Sequence, residues 1–302
     1  MMEILTILGI IGSACGVIGA IDIFIRWYKE SSKNYRSQLP KINEENQQQI
    51  ILDKVIIDAS SRISQRLNKL LELLNQNRNI EVTISELTEF CRYNKEGDLK
   101  KYFDGSEEPT YKEQEYICSC IGANSEWLKH GKGEPFRSQE SFETYAENYL
   151  KTIINKLPKE IIFIRSRGED GRAGILLKLN KFKYVFLPKT WNISGCVGST
   201  GQRQINSFRQ LIEAVNDLKR TSYKFDSISI TGNHIEEKDF DDLTCGEIYP
   251  GSIVGSYKDN WWDNLTDINH VWAGASSYEE QYGENFIEAQ KIIKYLLDSS
   301  VS

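Results

Sequence analysis

The segment with the clearest capacity for chemistry is Gly195-Cys196-Val197-Gly198-Ser199-Thr200-Gly201-Gln202-Arg203, which leads into an apolar-periodic stretch from residue 205. Glycine-rich backbone at the start of a helix leaves amide N–H groups free to hold an anion, and an arginine beside them adds charge. The candidate anion-binding residues are Gly195, Gly198, Ser199, Thr200, Gly201 and Arg203. No Gly-Lys-Ser/Thr closes the segment, so it is not a P-loop, and a flexible turn accounts for the same glycines. A second candidate is Trp261-Trp262-Asp263, with Asp267, His270 and Trp272 close by. Aromatics beside acids can bind a ligand, but tryptophans also anchor long loops onto a core. Asp267 and His270 have the types of a carboxylate–imidazole pair, yet no nucleophile is marked, so no catalytic residue is assigned and no enzyme is expected. His130, His234 and His270 are the only histidines, and they lie far apart. The six cysteines, at 15, 91, 118, 120, 196 and 245, form no CxxC spacing. No metal site and no cofactor is expected, and the cysteines read as small apolar residues in a reducing compartment.

These residues sit in a chain of 302 residues, long enough for two domains, with 40% apolar and 26% charged side chains. That composition buries a real core and excludes wholesale disorder. The net charge of −6 announces no nucleic-acid sponge.

Residues 1–28 read as a single membrane span. Ile4 to Ile21 carries no charge, and the apolar character resumes at Ile23. A span needs about 20 residues at 1.5 Å each. Trp27 and Tyr28 stand where an interfacial aromatic belt would, and Arg26, Lys29, Lys33, Arg36 and Lys41 against Glu30 give the following flank a charge of +4. The positive-inside rule then puts the N-terminus outside and the bulk in the cytoplasm, at an inner membrane. Met1-Met2-Glu3 is not the basic leader of a cleaved signal peptide. Gly12 and Gly16 form a GxxxG pair that Gly9 and Gly19 extend, a face on which two copies could pack, so a homo-oligomer is expected.

Residues 29–57 read as a polar tether that runs into the start of a helix, whose apolar positions continue through Ile63, Leu67, Leu70, Leu71 and Leu74. Thr83 and Glu86 have the spacing of a helix start. Further short helices are expected over 96–102 and from Pro109 to Ile121. Gly122-Ala123-Asn124-Ser125-Glu126-Trp127-Leu128-Lys129-His130-Gly131-Lys132-Gly133-Glu134-Pro135-Phe136 follows. This ending resembles the close of the helix-turn-helix domain of lambdoid-repressor-like regulators, and the resemblance covers 58–136. It implies that Trp127 and Leu128 plug the core, that 83–91 is a supporting helix and that 95–103 is a recognition helix. Asn94, Lys95, Lys100 and Lys101 would then face bases, and Arg92 and Lys112 would contact phosphates. Two features depart from that pattern. Acidic Glu86 and Glu89 occupy the supporting helix, and 58–136 holds eleven basic and fourteen acidic side chains, a balance of −3. DNA-binding domains usually show a basic face.

Residues 137–302 read as an α+β domain with an antiparallel sheet. Strands are expected over 160–164, 174–179, 184–187 and 227–231, with a hairpin turn at Gly168-Glu169-Asp170-Gly171 and helices over 142–157, 205–219 and 286–297. This part resembles the C-terminal part of uncharacterised bacterial proteins that carry the same helix-turn-helix module. Two readings of function follow. One is a membrane-tethered transcription regulator, binding DNA and sensing an unknown ligand or protein partner through 137–302. The other is a membrane-anchored effector or phage-defence protein that uses the helix-turn-helix fold for protein contacts.

Overall fold

The computed structural model describes residues 62–140, 142–143, 146–195, 198–254, 258–268 and 276–301. All of them lie in one compact unit, Ala59–Ser302. The first part is helical. Helix α1 occupies residues 62–75. It is followed by α2 (Ile84–Phe90), α3 (Glu96–Phe103), α4 (Tyr111–Ile121) and α5 (Ser125–His130). Their starts are chemically marked. Thr83 Oγ1 accepts the Glu86 N–H at 3.1 Å. Thr110 and Glu113 form a reciprocal capping box, and Asn124 caps α5. Gly122 closes α4 in the left-handed conformation, φ +77°.

The second part is built on a sheet. Helix α6 (Ala146–Lys156) leads to β1 (Glu160–Ser166), β2 (Arg172–Lys178), β3 (Tyr184–Phe186) and β4 (Trp191–Asn192). Then come α7 (Ser199–Thr221), β5 (Ser229–Ile235), α8 (Glu237–Cys245), α9 (Trp261–Thr266), α10 (Ser276–Tyr282) and α11 (Glu284–Val301). The strand order is β3-β2-β1-β5, with β4 also paired to β2. β1 runs antiparallel to β2 but parallel to β5. The sheet is therefore mixed, which corrects the antiparallel sheet expected from the sequence. The cause is α7, a 23-residue crossover that returns the chain to the starting end of β1 before β5 begins.

All seven residues of β1 are buried. Successive side chains alternate faces, so each face of the sheet has its own core. Ile161, Phe163, Ile175 and Leu177 pack with α6, α7, α9 and α11. Ile162, Ile164, Leu176 and Phe186 share a second core with α8 and with Leu67, Leu70, Leu99 and Leu128 of the helical part.

The membrane-spanning helix and the inner-membrane location expected from the sequence are also corrected. Among the described residues no helix is long and apolar enough to cross a membrane. The two longest, α7 and α11, carry charges along their length, including Arg209, Glu213 and Asp217 in one and Glu288, Lys291 and Lys294 in the other. The expected span 1–28, with Gly9, Gly12, Gly16 and Gly19, and the tether 29–57 lie outside the described residues.

Candidate functional site

Two places answer to the residues singled out above, and a third lies elsewhere. The first is the exposed face of α3. Arg92 follows α2 at φ +56°, and Arg92, Asn94, Lys95, Lys100 and Lys112 are all exposed. The two lysines inside α3 have acidic partners. Lys100 Nζ lies 2.5 Å from Asp104, and Lys101 Nζ lies 2.9 Å from Glu107. Lys95 is the N-cap of α3, and its backbone N–H donates to Asp98. Residues 84–108 hold seven acidic and four basic side chains. An exposed ion pair is weak, so a phosphate could draw a lysine away. The carboxylate would remain within a turn and repel that phosphate. DNA binding and transcription regulation are thus unsupported: over 84–108 the acids outnumber the bases, and Lys100 and Lys101 are paired with carboxylates.

The second place is the start of α7. Gly198 is its N-cap, without a side-chain cap bond, so Ser199, Thr200 and Gly201 form an uncapped first turn. Arg203 follows and is exposed. Gly195 is turned the other way: its N–H donates to Asn285 O at 3.2 Å, and a Cβ there would meet Glu288. The structure brings Ser199, Thr200 and Gly201 together and ties Gly195 to α11, and among the described residues Arg203 has no partner with which to form a cradle. Cys196 and Val197 lie outside the described residues.

The third place was not anticipated. Arg165 and His234 are register partners on the parallel strands β1 and β5, at the carboxyl ends of both. Arg165 is 3% exposed, and the His234 and Asp259 side chains are each 7% exposed. Arg165 Nη1 lies 3.2 Å from His234 Nε2, and His234 Nδ1 lies 2.9 Å from Asp259 Oδ2. A guanidinium can only donate, so Nε2 accepts and the imidazole proton is on Nδ1, donated to Asp259. Asp259 Oδ1 accepts from the Tyr282 hydroxyl at 2.8 Å and the Trp261 N–H at 3.0 Å. Arg165 also donates to Tyr282 O at 3.1 Å and lies over the Phe286 ring.

The protonation states follow from this geometry. Burial lowers the Arg165 pKa to about 10, which leaves it charged at neutral pH. Burial also lowers the His234 pKa, against the opposing pull of Asp259. For Asp259 burial raises the pKa, but the bonds from His234 and Tyr282 outweigh it and the carboxyl lies below its ordinary range. The cluster is a buried cation and anion bridged by a neutral imidazole. Both imidazole nitrogens are committed, so the group is a clamp joining β1, β5, the 259–261 segment and α10.

Of the tryptophan segment, Trp261 and Trp262 are loop anchors. Trp261 Nε1 donates to Phe163 O at 3.0 Å and its ring stacks on Phe208, while Trp262 stacks on Phe163. Asp263 is exposed and Asp267 is the C-cap of α9, whereas His270 and Trp272 lie outside the described residues. The sequence did carry a signal for the clamp. Arg165 is a charge at the end of a strand buried on both faces, where charges are rare unless paired.

No family of known proteins matches this chain, nor does any curated protein or solved structure.

Proposed function

We propose that this chain is a binding protein rather than an enzyme, in which a helix-turn-helix-type module contacts a protein partner through the exposed face of α3. The observation that supports this reading is the charge of the segment 84–108, which holds seven acids and four bases and in which Lys100 and Lys101 already have carboxylate partners. Such a surface favours a basic protein over a phosphate backbone. Exposed Tyr111 and Tyr116 on neighbouring α4 add the residue type enriched at protein interfaces. The sheet part serves as the platform. Phe90 packs edge-on against Phe182, and Arg78 sits over both Phe182 and Tyr249, so α2 is held while α3 faces outward.

The test is a photo-crosslinking amino acid placed at position 97 of the full-length protein in its own cells. A Cβ at Gly97 meets nothing within 4 Å, so the probe fits without disturbing the fold. Adducts that survive nuclease, are digested by protease and diminish with added salt are expected. A probe at Tyr295, exposed on α11, is the control and should not give the same adducts. Nuclease-sensitive adducts, or none above the control, would overturn the reading.

A further inference from the structure

A cleft of about 200 Å3 lies between the helical part and the sheet. Three of its lining side chains are aromatic: Phe136, from the segment after α5, and Tyr184 and Phe186 of β3. Its charged lining is unbalanced once the ion pairs are set aside. Glu140 pairs with Lys156 at 2.7 Å, and Glu115 pairs with Lys129 at 2.5 Å. That leaves Arg137 and Lys183, whose side chains have no carboxylate partner among the described residues. The backbone fixes both positions. The Arg137 N–H donates to Glu134 O at 3.3 Å, and the Lys183 N–H donates to Asn180 Oδ1 at 2.7 Å. The Lys183 stem lies across the end of α4, where a Cβ at Gly122 would be 3.2 Å from its Cγ. Ser125, at the first position of α5, also lines the cleft, and its hydroxyl has no partner among the described residues.

We propose that this cleft binds a small phosphate monoester with an aromatic body. Arg137 and Lys183 together match the charge of about −1.5 to −2 that a phosphate monoester carries at neutral pH. A monocarboxylate would neutralise only one of them. A guanidinium can hold two phosphate oxygens at once, through parallel N–H groups, and Arg137 has that fork free. Lys183 supplies the second charge, and the Ser125 hydroxyl a neutral donor. The rings of Phe136, Tyr184 and Phe186 give the body of the ligand an apolar wall to lie against.

The volume bounds the ligand. Sites for drug-sized molecules enclose about 300–1,000 Å3, so this smaller cleft takes a single ring with its phosphate rather than a whole nucleotide. Its position gives binding a consequence. Ser125 belongs to the helical part, while Lys183 and Tyr184 belong to the sheet part, at the β2–β3 turn. A ligand held by both favours the folded arrangement that brings them together, and it stabilises the chain by mass action.

The experiment titrates the full-length protein with phenyl phosphate by isothermal calorimetry, with inorganic phosphate, phenol and benzoate as comparisons. Phenyl phosphate should bind with saturation. Inorganic phosphate lacks the ring, phenol lacks the charge and benzoate carries a single charge, so each should bind about tenfold or more weakly. Affinity for phenyl phosphate should fall as pH is lowered through about 6, where the phosphate takes up its second proton. Arg137→Gln and Lys183→Gln keep most of each stem and should each weaken binding about tenfold or more, the value of one hydrogen bond to a charged group. Neither side chain has a polar partner in the described fold, so both variants should keep the wild-type urea midpoint. Lys224→Gln, on the exposed segment after α7, should leave binding unchanged. No saturable binding of phenyl phosphate, equal binding of inorganic phosphate or benzoate, or binding that both glutamine variants retain would overturn the proposal.

Discussion

Removing the Asp259 carboxylate is the sharpest test of the buried clamp. In Asp259→Ala three donors lose their acceptor at once: His234 Nδ1 at 2.9 Å, the Tyr282 hydroxyl at 2.8 Å and the Trp261 N–H at 3.0 Å. Each bond to a charged acceptor is worth about 1.5–3 kcal/mol, and the three share one group, so they do not add. Removing one member of a buried ion pair costs about 3–5 kcal/mol, because the remaining charge is left uncompensated. Here that charge is Arg165, 3% exposed, with a buried Nε that already lacks a partner among the described residues. The expected loss is therefore about 3–5 kcal/mol, out of a total stability of roughly 5–15 kcal/mol. At about 2–4 °C per kcal/mol for a domain of this size, Tm should fall by about 6–20 °C. Asp259→Asn separates charge from shape. Its Oδ1 can keep Tyr282 and the Trp261 N–H, but its amide faces His234 with a second donor. The imidazole could accept there only by moving its proton to Nε2, where Arg165 already donates. An intermediate loss of about 1–3 kcal/mol follows from one unsatisfied buried group. Urea unfolding followed by tryptophan fluorescence reads all three proteins, since Trp261 and Trp262 adjoin the cluster. If Asp259→Ala unfolds within about 0.5 kcal/mol of the wild type, the range of a surface change, the clamp is not a stabilising element.

Two further predictions rest on the same structure. The His234 pKa is lowered in the fold, so between that value and the unfolded value of about 6.5 the unfolded chain binds the extra proton. The stability His234 contributes is thus complete above about pH 6.5 and is lost as pH falls through the folded value, with a slope of at most about 1.4 kcal/mol per pH unit. Urea midpoints from pH 8 to 5 should show this decline, and His234→Gln should flatten it; an unchanged profile in that variant would assign the decline to other groups. Gly122 and Gly105 both have positive φ, but a Cβ at Gly122 would lie 3.0 Å from the Tyr184 backbone oxygen, whereas at Gly105 it meets Ser64 at an ordinary 3.4 Å. Both alanine variants pay the left-handed strain of about 1–2 kcal/mol. Gly122→Ala should cost measurably more than Gly105→Ala in denaturation, and equal losses would show that α4 does not press on β3.

Local chemistry was legible in the sequence where one residue decides the structure. Thr83 with Glu86 marked the start of α2. The turn at Gly168-Glu169-Asp170-Gly171 separates β1 from β2 as expected. Long-range relations were harder. Alternation in 227–231 signals a strand but carries no direction, and direction is set by the connection. The apolar helix placed before that strand was itself the evidence for a crossover, and so for parallel pairing. β1 was read as ending at Ile164, because Arg165 breaks the apolar run, yet the strand continues through Ser166. That boundary hid the clamp: Arg165, His234, Asp259 and Tyr282 are up to 117 residues apart and share no spacing rule. The start of α7 was placed at 205, whereas the helix begins at Ser199 within the glycine-rich segment. Glycine lowers helix propensity by about 1 kcal/mol, but burial of Ile205, Phe208, Leu211 and Ile212 on the sheet outweighs it.

The shared core constrains how any signal could pass between the two parts of the chain. A helix-turn-helix module with its own closed core could pivot on a linker. Here the Phe136 N–H donates to Gly246 O at 2.8 Å, and its ring packs on Tyr249. Tyr249 in turn donates to Phe182 O at 2.8 Å, and Phe182 meets Phe90 at the end of α2. Lys181 pairs with Glu86 on the same helix. Moving α2 relative to the sheet would open these aromatic contacts together, because a packed core does not deform continuously. α3 is fixed to this assembly through Leu99, Tyr102 and Phe103, while its remaining surface faces solvent. The turn between α2 and α3 is held as well: the Arg92 and Tyr93 N–H groups donate to Glu89 O at 2.9 Å and Thr88 O at 3.0 Å, and the Tyr116 hydroxyl donates to Cys91 O at 2.8 Å. A change that moves α3 without unfolding the chain has to break the bonds of that turn first.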